Sequence, residues 1–223
     1  MLLFGVGTDS DATVSESVLA IQHSTNEFSR QKHEKVRVSV EEIREFIADG
    51  GERRVVFVSH GSRDALLDAS ARRIPYITAA DAKEFDNLYL LAYACSSGAY
   101  PGGRITRFAL LYIGFDSVIS APPSAPSVCY ADLLGLYRMM LSYLFNVLIV
   151  SPQDGESGAT DFLRSLREQS IYIEMKFDTS GGSTLDAEEL ICIRQFREDI
   201  SVWVRGVDHP IKCEGERPRA LLW

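Results

Sequence analysis

The stretch LYLLAYACSSG, Leu88–Gly98, carries a run of mostly apolar residues that stops on Cys95, two serines and a glycine. A short continuous apolar run bounded by small residues reads as a strand covered on both faces, the kind found inside a parallel sheet. RRVVFVSHG, Arg53–Gly61, has the same form and stops on His60 and Gly61. In an open α/β sheet, ligands bind beyond the carboxyl ends of the strands. Two parallel strands ending this way bring His60 and Cys95 to one edge although they are distant in sequence. A thiol must ionise before it attacks a carbonyl, and an imidazole beside it serves as base or ion-pair partner. Gly61 lets a substrate backbone approach closely. Its N–H and that of Cys95 form a candidate oxyanion hole.

Working outward, the first 150 residues alternate apolar runs with helical patterns, which is the α/β signature. LLFGVG (Leu2–Gly7) reads as a first strand ending in an acidic turn with Asp9 and Asp11. SVEEIREFIADGG opens on Ser39 with Glu42 as a capping box and stops at Gly50. Ile43, Phe46 and Ile47 fall at helical spacing, so this helix should lie on the sheet. IPYIT suggests an accessory strand, and Thr78 with Asp81 opens another helical segment. RITRFALLYIG is expected to be helical, with a strand following at DSVISA (Asp116–Ala121). PPSAP breaks the chain before a helix at about Tyr130–Phe145, whose apolar continuation NVLIV suggests a turn towards a further strand.

After Val150 the texture changes. Ser151–Asp161 reads as a polar loop, DFLRSLREQS as a short helix, and IYIEMKF, ELICIRQF and ISVWVRG as strands of an antiparallel, β-rich addition. Residues 1–150 would form an α/β core and residues 151–223 a C-terminal extension packed on it, within one domain.

Composition narrows the function classes. Asp and Glu outnumber Lys and Arg by 31 to 23, a net charge of −8, which argues against a nucleic-acid protein. Cys95, Cys129, Cys192 and Cys213 are spaced too irregularly for a zinc site, and the chain is too long for a disulfide miniprotein. They read as reduced thiols of a cytoplasmic protein, and the last three as structural. His23, His33 and His209 have no motif partner and read as surface residues. The start has no basic n-region and reads as a strand rather than a signal peptide. No stretch approaches the roughly 18 apolar residues of a membrane helix. Neither a nucleophile elbow nor a dinucleotide or phosphate-loop motif is present, and no metal or other cofactor is called for.

FVSHGS together with LLAYACSSGA resembles the His-Gly and Cys motifs of the caspase-like (clan CD) cysteine peptidases. The motif spacing and GFDSVISAPPS most resemble the CHAT branch. The resemblance spans about Val55–Ser124, and Tyr93 stands where metacaspases carry aspartate. It implies a caspase/haemoglobinase-like, mostly parallel sheet flanked by helices, and endopeptidase activity without a catalytic metal. By position, His60 would be the general base and acid, Cys95 the nucleophile and Gly61 an oxyanion donor.

The same resemblance implies that the end of the first strand helps to build the pocket for the residue before the scissile bond. Asp9 and Asp11 there, with Asp116 as a further candidate, would pair with a basic side chain; Asp9 and Asp11 equally suit a turn or helix cap. The expected partners are a protein or peptide substrate and an activating protein. Self-cleavage in Ser151–Asp161 or Asp178–Glu188 is another route to control, and bacterial members of this group often act in immunity. The alternative is a catalytically inactive caspase-fold module that recruits a partner.

Overall fold

The computed structural model describes residues 2–6, 12–25, 32–35, 40–48, 53–67, 75–120, 127–179 and 184–213. Its centre is a mixed, mostly parallel sheet. The parallel strands are β1 (Leu2–Val6), β2 (Lys32–Lys35), β3 (Arg54–Val58), β7 (Tyr89–Tyr93) and β8 (Leu111–Phe115). β9 (Ile200–Val204) and β10 (Ile211–Lys212) extend it antiparallel, giving the order β10-β9-β8-β7-β3-β1-β2. Between β3 and β7 the chain makes a small antiparallel sheet of β4 (His60–Gly61), β5 (Ala65–Leu67) and β6 (Pro75–Thr78).

The central strands are apolar on both faces because both are covered. All five residues of β7 and of β8 are buried. One face carries α1 (Ala12–Thr25), α4 (Tyr130–Asn146), α5 (Pro152–Thr179) and α6 (Ala187–Glu198) around a core that includes Leu91, Tyr93, Phe115 and Tyr137. The opposite core contains Phe57, Leu90 and Ala92 with Leu66, Ile77, Phe85 and Ile105. Its elements include a 3₁₀ helix (Ala79–Phe85) and the short α3 (Tyr100–Ile105). Thr78 and Asp81 cap the 3₁₀ helix reciprocally, as their spacing requires. α2 (Val40–Ala48) joins this helix through an Arg44–Glu84 ion pair. Ile43, Phe46 and Ile47 lie outside the described side chains, as do residues 7–11 with Asp9 and Asp11.

Four sequence expectations need correction. The strand expected at Asp116–Ala121 lies earlier, at Leu111–Phe115, and the helix before it ends at Ile105. Gly114 explains the shift: a Cβ there would sit 2.6 Å from the Gly98 nitrogen, so this segment is a strand pressed backbone to backbone against the Cys95 turn. Ser151–Asp161 is no loop but mostly the start of the 28-residue α5, so a self-cleavage loop is absent there. IYIEMKF and ELICIRQF are helical. Leu163, Leu166, Ser170, Ile173 and Phe177 are buried at alternating three- and four-residue steps, while Tyr172 and Met175 face solvent. NVLIV forms no strand; it joins α4 to α5 with Leu148 and Val150 exposed. Of the expected antiparallel addition only ISVWVRG remains, as β9; it and β10, which is not among the expected strands, belong to the main sheet. No helix among the described residues is long and apolar enough to cross a membrane.

Candidate active site

β3 and β7 are parallel neighbours in a register that sets Val58 opposite Tyr93. His60 and Cys95 each lie two residues beyond that pair, so both leave the sheet at the same edge. The Ser59 N–H donates to the Tyr93 carbonyl at 3.3 Å, which holds the two chains together past the ladder. Gly61 then crosses over the Cys95 peptide so closely that a Cβ would lie 2.1 Å from the Cys95 carbonyl oxygen. Only glycine permits that approach. The following β4–β5 pairing, His60 opposite Leu67, fixes the histidine backbone from the other side.

The turn after β7 is built with equal economy. Ser96 adopts φ = +55°, a left-handed conformation that costs a non-glycine residue roughly 1 kcal/mol. Such positions cluster where function demands a particular geometry. The fully buried Ser97 donates to the Ala92 carbonyl at 2.8 Å and accepts from the Phe115 N–H at 3.1 Å, bracing the turn across β7 and β8. The Ser96 N–H is spent on the Ser117 carbonyl and the Gly98 N–H on that of Phe115. The Cys95 N–H makes no hydrogen bond among the described residues, which leaves it available as a donor.

His60 and Cys95 line one small cavity of about 20 Å³, walled also by Ser59, Tyr93, Ile119 and Val14 of α1. Both are partly exposed. Burial pushes the thiols of Cys129 and Cys213 up to about 11 and that of Cys192 up to about 12, which keeps all three protonated and unreactive near neutral pH.

Tyr93, in the position before Ala94-Cys95, points into the helical face. Its hydroxyl is 2.6 Å from that of Tyr137 and receives the Gln195 amide at 2.9 Å. Gln195 also accepts the Ser120 N–H at 2.9 Å, so α6 grips the segment that ends in the cavity wall at Ile119. Sequence reasoning missed this tie. A lone glutamine amid apolar residues of a presumed strand carries no signal, and its partners lie far off in the chain.

Asp116 follows β8 directly and accepts from Ser201 Oγ at 2.8 Å and from Lys212. Its carboxylate is therefore engaged inside the chain. His23 and His209 are exposed. No group of three or more His, Cys, Asp or Glu side chains suited to a metal occurs among the described residues. The chain matches no protein-family model and no curated protein.

Proposed function

We propose that the protein is a cysteine endopeptidase of the caspase-like kind, working through a His60/Cys95 dyad. One observation carries the reading: His60-Gly61 and Cys95 leave adjacent parallel strands at equal offset and converge on one cavity, with Gly61 against the Cys95 peptide. In this mechanism His60 takes the Cys95 proton, or holds it as an ion pair, while the thiolate attacks a peptide carbonyl. The Cys95 and Gly61 amides receive the oxyanion. His60 then protonates the departing amine, and water hydrolyses the thioester. Four free thiols suit a reducing, cytoplasmic setting.

A cavity of about 20 Å³ is enough for about one water molecule. A peptide is larger than that cavity and meets Cys95 from its partly exposed side, and in this reading an activating partner controls the site. The preference for a basic residue before the scissile bond rests on Asp9 and Asp11, because Asp116 is already bound by Ser201 and Lys212.

Profiling cleavage of a peptide library by wild type, Cys95→Ala and His60→Ala, beside labelling with a thiol-directed peptide probe, tests the reading. Cleavage and labelling should disappear in Cys95→Ala, and cleavage should fall by at least about a hundredfold in His60→Ala. Activity that survives in Cys95→Ala removes the dyad. A wild type that neither cleaves nor labels, yet retains a bound partner protein, makes the chain a binding module instead.

A further inference from the structure

A second concavity, larger than the one at the dyad, flanks the central sheet. It lies between α3, the 3₁₀ helix and β9, with a volume of about 450 Å³, inside the roughly 300–1,000 Å³ range of small-molecule sites. Trp203 and Phe108 supply its apolar surface, Arg104 and Arg107 its positive charge, and Asp208 an acceptor. Two arginines on one rim are conspicuous in a chain of net charge −8. Arg107 is exposed and has no ion-pair partner among the described residues.

The aromatic wall is fixed in place. The Trp203 indole N–H donates to the Gly98 carbonyl at 2.7 Å, and its ring edge runs so close to Gly103 that a Cβ there would lie 2.9 Å away. A rigid indole beside the unpaired Arg107 guanidinium suits a flat ring carrying a phosphate: the ring stacks, the phosphate meets the forked donors of Arg107, and a hydroxyl or amine reaches Asp208, whose Oδ1 is also met by the His209 ring. Trp203 stands opposite Tyr112 in the β8–β9 ladder, whereas Gly98 bonds to Phe115, three residues further along β8. That is a separation of about 10 Å along the strand. The pocket thus sits away from the edge bearing Cys95, and the indole links the two.

We propose that this pocket binds a small phosphate-bearing ligand of the nucleotide class and that its occupancy is transmitted to the Cys95 turn through the Trp203–Gly98 hydrogen bond. Binding stands on the pocket alone; the transmission rests on the peptidase reading, in which Cys95 is the reactive thiol.

With Trp223→Phe removing the other of the two tryptophans, Trp203 emission reports binding directly. AMP and ATP should give a saturable change, with pyrophosphate and adenosine each weaker, and Arg107→Glu should cost about tenfold or more in affinity. No saturable response to either nucleotide by emission or calorimetry overturns the site. So does unchanged affinity in Arg107→Glu, equal affinity for pyrophosphate and ATP, or saturable binding of an acidic aromatic peptide alone. For the transmission, iodoacetamide labelling is followed by the mass of the Cys95 peptide. Saturating nucleotide should change that rate in wild type but not in Trp203→Phe, which keeps a ring yet cannot donate to Gly98. An equal response in Trp203→Phe, or none in wild type, overturns the link. None of these readouts requires peptide cleavage, so failure here and failure of the peptidase reading are told apart.

Discussion

Gly61 lies against the backbone of Cys95 with no room for a methyl group, an added Cβ falling 2.1 Å from the cysteine carbonyl oxygen. The colliding atom belongs to the main chain, so no rotamer change relieves the clash. Gly61→Ala is expected to push the β4 segment off the Cys95 turn and to cost about 1–3 kcal/mol or more in stability. Urea unfolding measures that cost. Labelling of Cys95 with a peptide-directed thiol probe should fall even where the variant remains folded. A variant as stable and as reactive as wild type would show that the two segments are not held together as described.

Much of this contact is legible in the sequence. Two apolar runs, each stopping on a chemically able residue, determine a pair of buried parallel strands, and the parallel-sheet rule then brings His60 and Cys95 to one edge. Asp81 three residues after Thr78 likewise specified a cap whose hydrogen bonds are present. The misreadings have a common cause. IYIEMKF and ELICIRQF are rich in β-branched and aromatic residues, yet their burial follows steps of three and four, and the packed face of α5 and α6 outweighs intrinsic preference. α1 passed without assignment because its inner stripe carries Ser17 and Ser24 among Val14, Ala20 and Ile21. Ser24 satisfies itself on the Ala20 carbonyl at 2.8 Å, so a buried serine there interrupts the apolar pattern without interrupting the helix.

The buried thiols make stability fall at alkaline pH. Cys129 and Cys192 rise from an ordinary value of 9.0 to about 11 and about 12 through burial. A raised folded value means that the native state holds its proton more tightly than the unfolded chain. The stabilisation is therefore complete below pH 9 and is lost progressively as pH rises towards 12. Burial shifts Tyr93, Tyr137 and Tyr143 upward as well, which adds to the loss. Unfolding free energy followed from pH 8 to 11 should decline, and Cys192→Ala should shallow the slope without removing it. Stability that increases across this range would contradict the burial of these groups.

Ser97 carries two hydrogen bonds, one to the Ala92 carbonyl, which the Ala94 N–H also meets, and one from the Phe115 N–H. Ser97→Ala strands the buried Phe115 amide and leaves the Ala92 carbonyl with the Ala94 N–H, at an expected cost of about 1–3 kcal/mol. Because the turn they brace presents Cys95, native-state hydrogen exchange should quicken most at Phe115 and in the turn after β7, ahead of global unfolding. Exchange that accelerates uniformly would assign Ser97 to the general core instead.

Gln195 tests whether α6 governs the site wall. It is 2% exposed and joins three elements: its amide donates to the Tyr93 hydroxyl at 2.9 Å, and its carbonyl accepts the Ser120 N–H at 2.9 Å while α6 packs beneath. Gln195→Leu keeps the volume but leaves the Ser120 amide without its acceptor, an expected loss of about 1–3 kcal/mol. Gln195→Glu keeps the acceptor and the shape but introduces a charge beside two buried tyrosines, and such a charge is poorly tolerated without a partner. A merely structural glutamine would lower stability and leave the chemistry of the folded fraction alone. As a positioning residue, it should also change the rate of Cys95 labelling, since Ile119, next to the gripped Ser120, walls the cavity shared with Cys95. The decisive comparison is the labelling rate per folded molecule at a temperature well below either variant's midpoint. A rate in Gln195→Leu equal to wild type would confine the network to holding α6 on the sheet.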